Sequence, residues 1–134
     1  MLVRFWGTRG SIPVALTSAD MRRKIEAALS LAIGKGVDSP DKLRSFIDND
    51  LDFSISRTYG GHSACVEIET GGAEYLVCDM GSGARAFGGR ILSAQKSAPI
   101  AVNVFMSHVH WDHIMGFPFF APAYVPGARI RIFG

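Results

Sequence analysis

Cysteine is scarce in this chain. Cys65 and Cys78 are too few for a disulfide scaffold and read as reduced, buried thiols. A surplus of charge of one sign is missing as well: fourteen Lys and Arg face twelve Asp and Glu, for a net +2. That balance is too mild for nucleic-acid wrapping or for anchoring on acidic lipid. No apolar run approaches the roughly 20 residues that a bilayer span requires. The opening Met1-Leu2-Val3-Arg4-Phe5-Trp6-Gly7 lacks the long apolar segment and small-residue cleavage site of a secretory signal. A cytoplasmic location with no membrane partner is therefore expected. There is no internal repeat and no low-complexity tract. With 48% hydrophobic and 19% charged residues the composition excludes a disordered chain. A length of 134 residues allows one compact domain with a real core.

What is present divides into three stretches. Val3 to Trp6 reads as a first strand, closed by the loop Gly7-Thr8-Arg9-Gly10-Ser11-Ile12-Pro13. A helical insertion follows, with Ser18 as the expected N-cap and Met21, Ile25, Ala28, Leu29, Ala32 and Ile33 on one face before Gly34. A second helix is expected to start at Ser39-Pro40, with Leu43, Phe46, Ile47 and Leu51 as its apolar stripe. Both stripes read as packing surfaces. From Tyr59 the period changes. Residues 65–70 and 75–78 read as strands around a Gly71-Gly72 turn, followed by the tight loop Asp79-Met80-Gly81-Ser82-Gly83. Residues 100–106 are nearly all apolar, as in a strand buried on both faces. Pro118, Pro122 and Pro126 limit any later helix to about two turns, and residues 129–133 alternate as a last strand.

Three of the four histidines lie in His108-Val109-His110-Trp111-Asp112-His113, at the end of the apolar strand. Packed polar groups each need a partner, so this run makes poor core material. It makes good metal ligands. Imidazole nitrogen and carboxylate oxygen suit zinc, and also manganese or iron, at about 2.0–2.2 Å. In extended backbone His108 and His110 project to one side and can grip one ion. Asp112 and His113, where the chain turns into a short helix, can reach a second.

The hexad resembles the His-x-His-x-Asp-His signature of the metallo-β-lactamase-fold hydrolases. Further blocks look like the ribonuclease Z-like and cyclic-phosphodiesterase-like branch of that family. They are Phe5-Trp6-Gly7-Thr8-Arg9-Gly10-Ser11-Ile12-Pro13, Tyr59-Gly60-Gly61, Cys65-Val66-Glu67, Asp79-Met80-Gly81-Ser82-Gly83 and Phe117-Pro118-Phe119-Phe120. Apart from the insertion, the similarity runs along almost the whole chain. Two departures stand out. The branch usually reads Asn-Thr or Asn-Ser after Gly-Gly, where this chain has His62-Ser63, and the role of His62 stays open. The family also needs a further His, a bridging Asp and a last His, and no His or Asp follows His113. The resemblance thus implies an α+β fold, the N-terminal half of an αββα sandwich truncated at its C-terminus. A helical insertion over residues 15–57 follows the first strand.

The activity implied is that of a metal-dependent hydrolase, most naturally of phosphodiesters of the cyclic nucleotide or cyclic phosphate type. The cofactors would be two divalent ions, zinc first and manganese or iron next, lowering the pKa of a bridging water to give a hydroxide nucleophile. Asp112 would orient that nucleophile while binding the second ion. Asp79 resembles the carboxylate that buttresses a ligand histidine, or else it caps its turn. Arg9 would meet a substrate phosphate or pair with Asp79. Trp111 and residues 117–120 are expected to pack beneath the histidine loop. Gly-Ser-Gly without a long helix behind it is weak evidence for a phosphate cradle. Two alternatives stand beside this: an ester, thioester or lactone hydrolase with the same site, and a non-catalytic metal-binding fragment. A single sheet should also leave an apolar face that favours a homo-oligomer.

Overall fold

Side chains alternate across the strands, so the sheet has two faces, and helix covers the one that carries the core. The computed structural model describes residues 1–94 and 99–134. Along the chain it contains β1 (Leu2–Gly7), α1 (Ser18–Gly34), α2 (Pro40–Ser45), α3 (Phe53–Ser56), β2 (Cys65–Glu69) and β3 (Tyr75–Cys78). Then come α4 (Ala84–Ala94), β4 (Ala101–Phe105), α5 (Trp111–Ile114) and β5 (Arg129–Phe133). The protein is thus mixed α+β. It divides into two compact units, Met1–Val14 with Gly60–Gly134, and Ala15–Tyr59. No helix among the described residues is long and apolar enough to cross a membrane.

The first unit is a five-stranded mixed sheet in the order β1-β2-β3-β4-β5. β1, β2 and β3 pair antiparallel, and β3, β4 and β5 pair parallel. A parallel pair needs a crossover, and α4 supplies it between β3 and β4. The sequence reading did not place this helix. Gly88 and Gly89 weaken its intrinsic propensity by about 1 kcal/mol each, and tertiary packing overrides that cost. Ala84, Phe87, Gly88 and Ile91, one face at helical spacing, are buried. They meet Val77, Val102 and Val104 of the sheet in the core. Phe87 is the hub: its ring lies 5.7 Å from Phe120, 6.1 Å from Trp6 and 6.2 Å from Tyr75. Gly88 is required where it stands, because a Cβ there would lie 2.8 Å from the Pro122 ring.

Glu67 is also on the covered face, 1% exposed. Its carboxylate accepts from Trp6 Nε1 at 3.0 Å and from Arg90 at 2.5 Å, so the buried charge is paired as burial demands. The opposite face of the sheet carries exposed Phe5, Phe105 and Phe133, the last two stacked at 5.2 Å.

The second unit is helical. Thr17, not Ser18, caps α1: its side chain accepts from Asp20 N, and Asp20 answers to the Thr17 backbone N–H. The threonine wins because the carboxylate three residues on completes a capping box. Ser39 caps α2 with Pro40 in the first turn, as the sequence indicates. The chain continues through a π turn (Phe46–Asp50). Lys24 donates to the carbonyls of Ser54, Ile55 and Arg57 at the end of α3, where a cation suits the helix dipole. The expected packing stripe of α1 is not buried. Met21, Ile25, Leu29 and Ile33 are exposed, and no residue of α1 is buried. In the second stripe Phe46 is buried, while Leu43 and Ile47 are exposed. Two short helices supply too little apolar surface to cover a long one.

Candidate metal centre

The candidate site forms at the carboxyl ends of the parallel strands β3 and β4, where open sheets place their ligand-binding loops. β3 ends at Cys78, and the next residue, Asp79, is left-handed with φ 62°. Aspartate tolerates that region better than bulky residues. Its backbone N–H is bonded to Phe105 O at the end of β4. Its carboxylate then accepts from Ser107 N at 2.8 Å, from the Ser107 hydroxyl at 2.8–2.9 Å, and from His113 Nδ1 at 2.8 Å. Burial pushes the Asp79 carboxyl upward, but these hydrogen bonds from Ser107 and His113 outweigh it and hold the acid below its usual range. Asp79 therefore buttresses a histidine of the hexad instead of merely capping its turn.

The hexad begins two residues beyond Ser107's neighbour Met106 and folds back on itself. His110 is extended at the start of α5, and Asp112 and His113 lie within that helix. The His108 ring contacts both of the others, centred 4.5 Å from His110 and 4.0 Å from His113. Ser107 Oγ reaches His108 Nδ1 at 3.0 Å. Asp112 is nearly buried and accepts from Ser11 N at 2.9 Å. Ser11 is also left-handed, with φ 57°. Among the described residues, Ser11 and Asp79 are the non-glycine positions with positive φ, and both serve this cluster.

His113 stands between two carboxylates, with Nδ1 toward Asp79 and Nε2 3.1 Å from Asp112 Oδ2. Two ligands on one tetrahedral ion with bonds of about 2.1 Å would stand about 3.4 Å apart. The Asp112–His113 pair thus matches the donor set and spacing of a shared ion. Among the described residues, no three His, Cys, Asp or Glu side chains already stand as a group that would hold one.

Arg9 does not pair with Asp79. Its Nε donates to Gly60 O at 3.0 Å, and its backbone bridges to Ser63. Trp111 does not pack beneath the loop and is 67% exposed, whereas Phe120 is fully buried. Gly81-Ser82-Gly83 does have a helix behind it, α4. Its amides are nevertheless spent: Gly81 N on Ala64 O, Ser82 N on Ser63 Oγ, Gly83 N on Ser63 O. The loop is a docking joint and not an anion cradle. Met80 N bonds His113 O, Gly116 N bonds Met80 O, and a Cβ on Gly81 would lie 2.3 Å from Asp112 O.

Sequence reasoning missed Ser107 and Ser11. Their contributions are a bridging hydroxyl and one backbone N–H, neither of which leaves a pattern in the chain. A surface cavity of about 290 Å³ lies elsewhere, at the β2–β3 hairpin, lined by Glu67, Glu69 and Arg90 among others. These charges are already paired with one another, so the cavity offers no comparable chemistry. Compared with protein-family models, curated proteins and solved structures, the chain finds no match. Function therefore has to be argued from the site.

Proposed function

We propose that this protein is a metal-dependent hydrolase acting on phosphodiesters of the cyclic nucleotide or cyclic phosphate type. We read its sheet, helix-covered on one face, as one half of an αββα metallo-β-lactamase-type sandwich. The observation that carries the reading is His113 held between Asp79 and Asp112, with the His108 ring against it and His110 against His108. Bound divalent ions, zinc foremost and manganese or iron by the same donor chemistry, would polarise a phosphoryl oxygen and acidify a water.

The residues have separate tasks. His108 and His110 would hold one ion, and Asp112 and His113 a second. Asp79 keeps the His113 proton on Nδ1, which leaves the Nε2 lone pair for ligation and raises its basicity. Ser11 N–H fixes the Asp112 carboxylate. Arg9, on the same loop as Ser11, supplies positive charge for an anionic substrate.

Elemental analysis of the purified protein tests this directly, with about two ions per chain expected from the two ligand pairs. His110→Ala and Asp112→Ala should each lower the metal content. Aryl phosphodiesters should be hydrolysed with zinc or manganese, and chelator should abolish turnover. Lactone or thioester turnover with every diester intact would assign the site to ester chemistry. Tight metal binding without turnover of any of them would leave a metal-binding module, and unchanged metal content in both variants would end the metal reading.

A further inference from the structure

Ser107 links the end of β4 to the first histidine of the hexad, and its backbone is seated from two sides. Met106 N, one residue before it, donates to Phe133 O at 2.7 Å. Ser107 N donates to Asp79 Oδ1 at 2.8 Å, and the Asp79 backbone is itself tied to Phe105 O at 3.0 Å. The Ser107 hydroxyl then meets three polar side chains at once. It lies 2.8–2.9 Å from the two Asp79 oxygens, 3.0 Å from His108 Nδ1 and 3.3 Å from His113 Nδ1.

One proton decides which of these groups donates. Ser107 Oγ carries a single proton and two lone pairs. Asp79 receives the Ser107 backbone N–H and faces His113 Nδ1 at 2.8 Å, which favours the ionised carboxylate, a group that can only accept. Two oxygens 2.8 Å apart need a proton between them, and the hydroxyl is the one that has it. Ser107 therefore donates to Asp79, and that proton is not available to His108. A bare Nδ1 at 3.0 Å would set its lone pair against those of the hydroxyl, so His108 Nδ1 carries the N–H and donates it. His113 Nδ1, facing the same carboxylate, is a donor as well. In both neutral rings the free lone pair is left on Nε2.

We propose that Ser107 is a positioning residue of the metal centre, whose hydroxyl passes the hold of Asp79 on to His108. Asp79 reaches His113 directly and His108 through Ser107, so one carboxylate orients a histidine in each of the two ligand pairs. This deepens the reading above and rests on it for the ions that the two Nε2 atoms would take.

The test is histidine side-chain ¹H–¹⁵N spectroscopy on the intact, chelated protein at a pH where the rings are neutral, followed by zinc titration. In the metal-free parent, His108 and His113 should both be protonated at Nδ1. Ser107→Ala keeps the backbone N–H to Asp79, so His113 should stay at Nδ1 while His108 is released to a mixture of tautomers. Ser107→Thr, which keeps the hydroxyl, should restore the parental pattern, and Asp79→Asn should disturb both rings. Zinc affinity should fall roughly tenfold in Ser107→Ala, as for loss of a group that orients a ligand, and recover in Ser107→Thr. A parental His108 protonated at Nε2 overturns the proposal, as does a Ser107→Ala protein that loses stability alone and keeps the His108 tautomer. Zinc-induced shifts of His108, His110 and His113 report the metal reading separately. If zinc moves none of them while the His108 tautomer follows Ser107, the metal centre falls and the hold of Ser107 on His108 stands. If zinc moves them and His108 is indifferent to Ser107, the metal centre stands and the role of Ser107 falls.

Discussion

Replacing Gly81 with alanine tests the joint on which the candidate site depends. The added Cβ would meet Asp112 O at 2.3 Å, Ala64 O at 2.6 Å and Ser63 Oγ at 2.6 Å. Two of these are backbone carbonyls, one in α5 and one at the entry to β2, so no flexible side chain can swing aside. The clash is steric and not conformational, since Gly81 is not among the glycines with positive φ. Relief requires α5 or the start of β2 to move by about an ångström. That would stretch the 2.7 Å bond from Gly81 N to Ala64 O and shift Asp112 off Ser11.

Overpacking of this kind costs about 1–3 kcal/mol, and backbone on both sides puts Gly81→Ala near the upper end. Gly89→Ala is the matched control. It lies exposed in α4 with nothing within 4 Å of its Cβ, so alanine should stabilise by about 0.5–1 kcal/mol. Urea unfolding followed by circular dichroism reads both. With a slope of about 2 kcal/mol per molar, the Gly81→Ala midpoint should fall by roughly 1–1.5 M, whereas that of Gly89→Ala should rise. Zinc titration of the folded Gly81→Ala protein should show weaker binding. A Gly81→Ala protein within about 0.5 kcal/mol of the parent, with zinc affinity intact, would refute the joint.

Three further perturbations follow. Asp79→Asn should weaken zinc binding roughly 10- to 100-fold, since the amide cannot support His113 as the carboxylate does, and calorimetry would measure it. Cys65 should resist thiol reagents in the folded state, because burial, with Asp79 and Glu67 nearby, pushes its pKa from 9.0 up to about 12. Above pH 9 the unfolded chain loses that proton first, so stability should decline between pH 9 and 12 by at most about 1.4 kcal/mol per pH unit from this group. A Cys65→Ala protein showing the same decline would remove the thiol as its cause. Glu67→Ala strands the Trp6 N–H and leaves Arg90 with Glu69 as its remaining carboxylate, and should cost about 1–3 kcal/mol in chemical denaturation.

Local sequence determined what local chemistry can determine. Ser39-Pro40 starts α2, the apolar run at 100–106 becomes β4, buried from Ala101 to Val104 but exposed at Phe105, and the hexad delivers four ligand-type side chains within six residues. Near neighbours in the chain are near neighbours in space, so their spacing could be read directly. Tertiary structure decided the rest. α4 hides behind Gly88 and Gly89, which lower its helix propensity, and the small size of Gly88 is needed for Pro122 and Phe120 to approach, a reason invisible without them. The stripe on α1 looked like a buried face, yet amphipathicity shows what a helix offers to pack, not that a partner covers it. Asp79 was legible as a residue type, but its hold on His113 spans 34 positions. Ser11 reaches Asp112 across 101 positions through a backbone N–H, a group that nearly every residue carries. Only the packing of Gly81 against α5 and the parallel pairing of β3 with β4 bring these groups together. Contacts made by common groups over long separations leave no mark in the residue order.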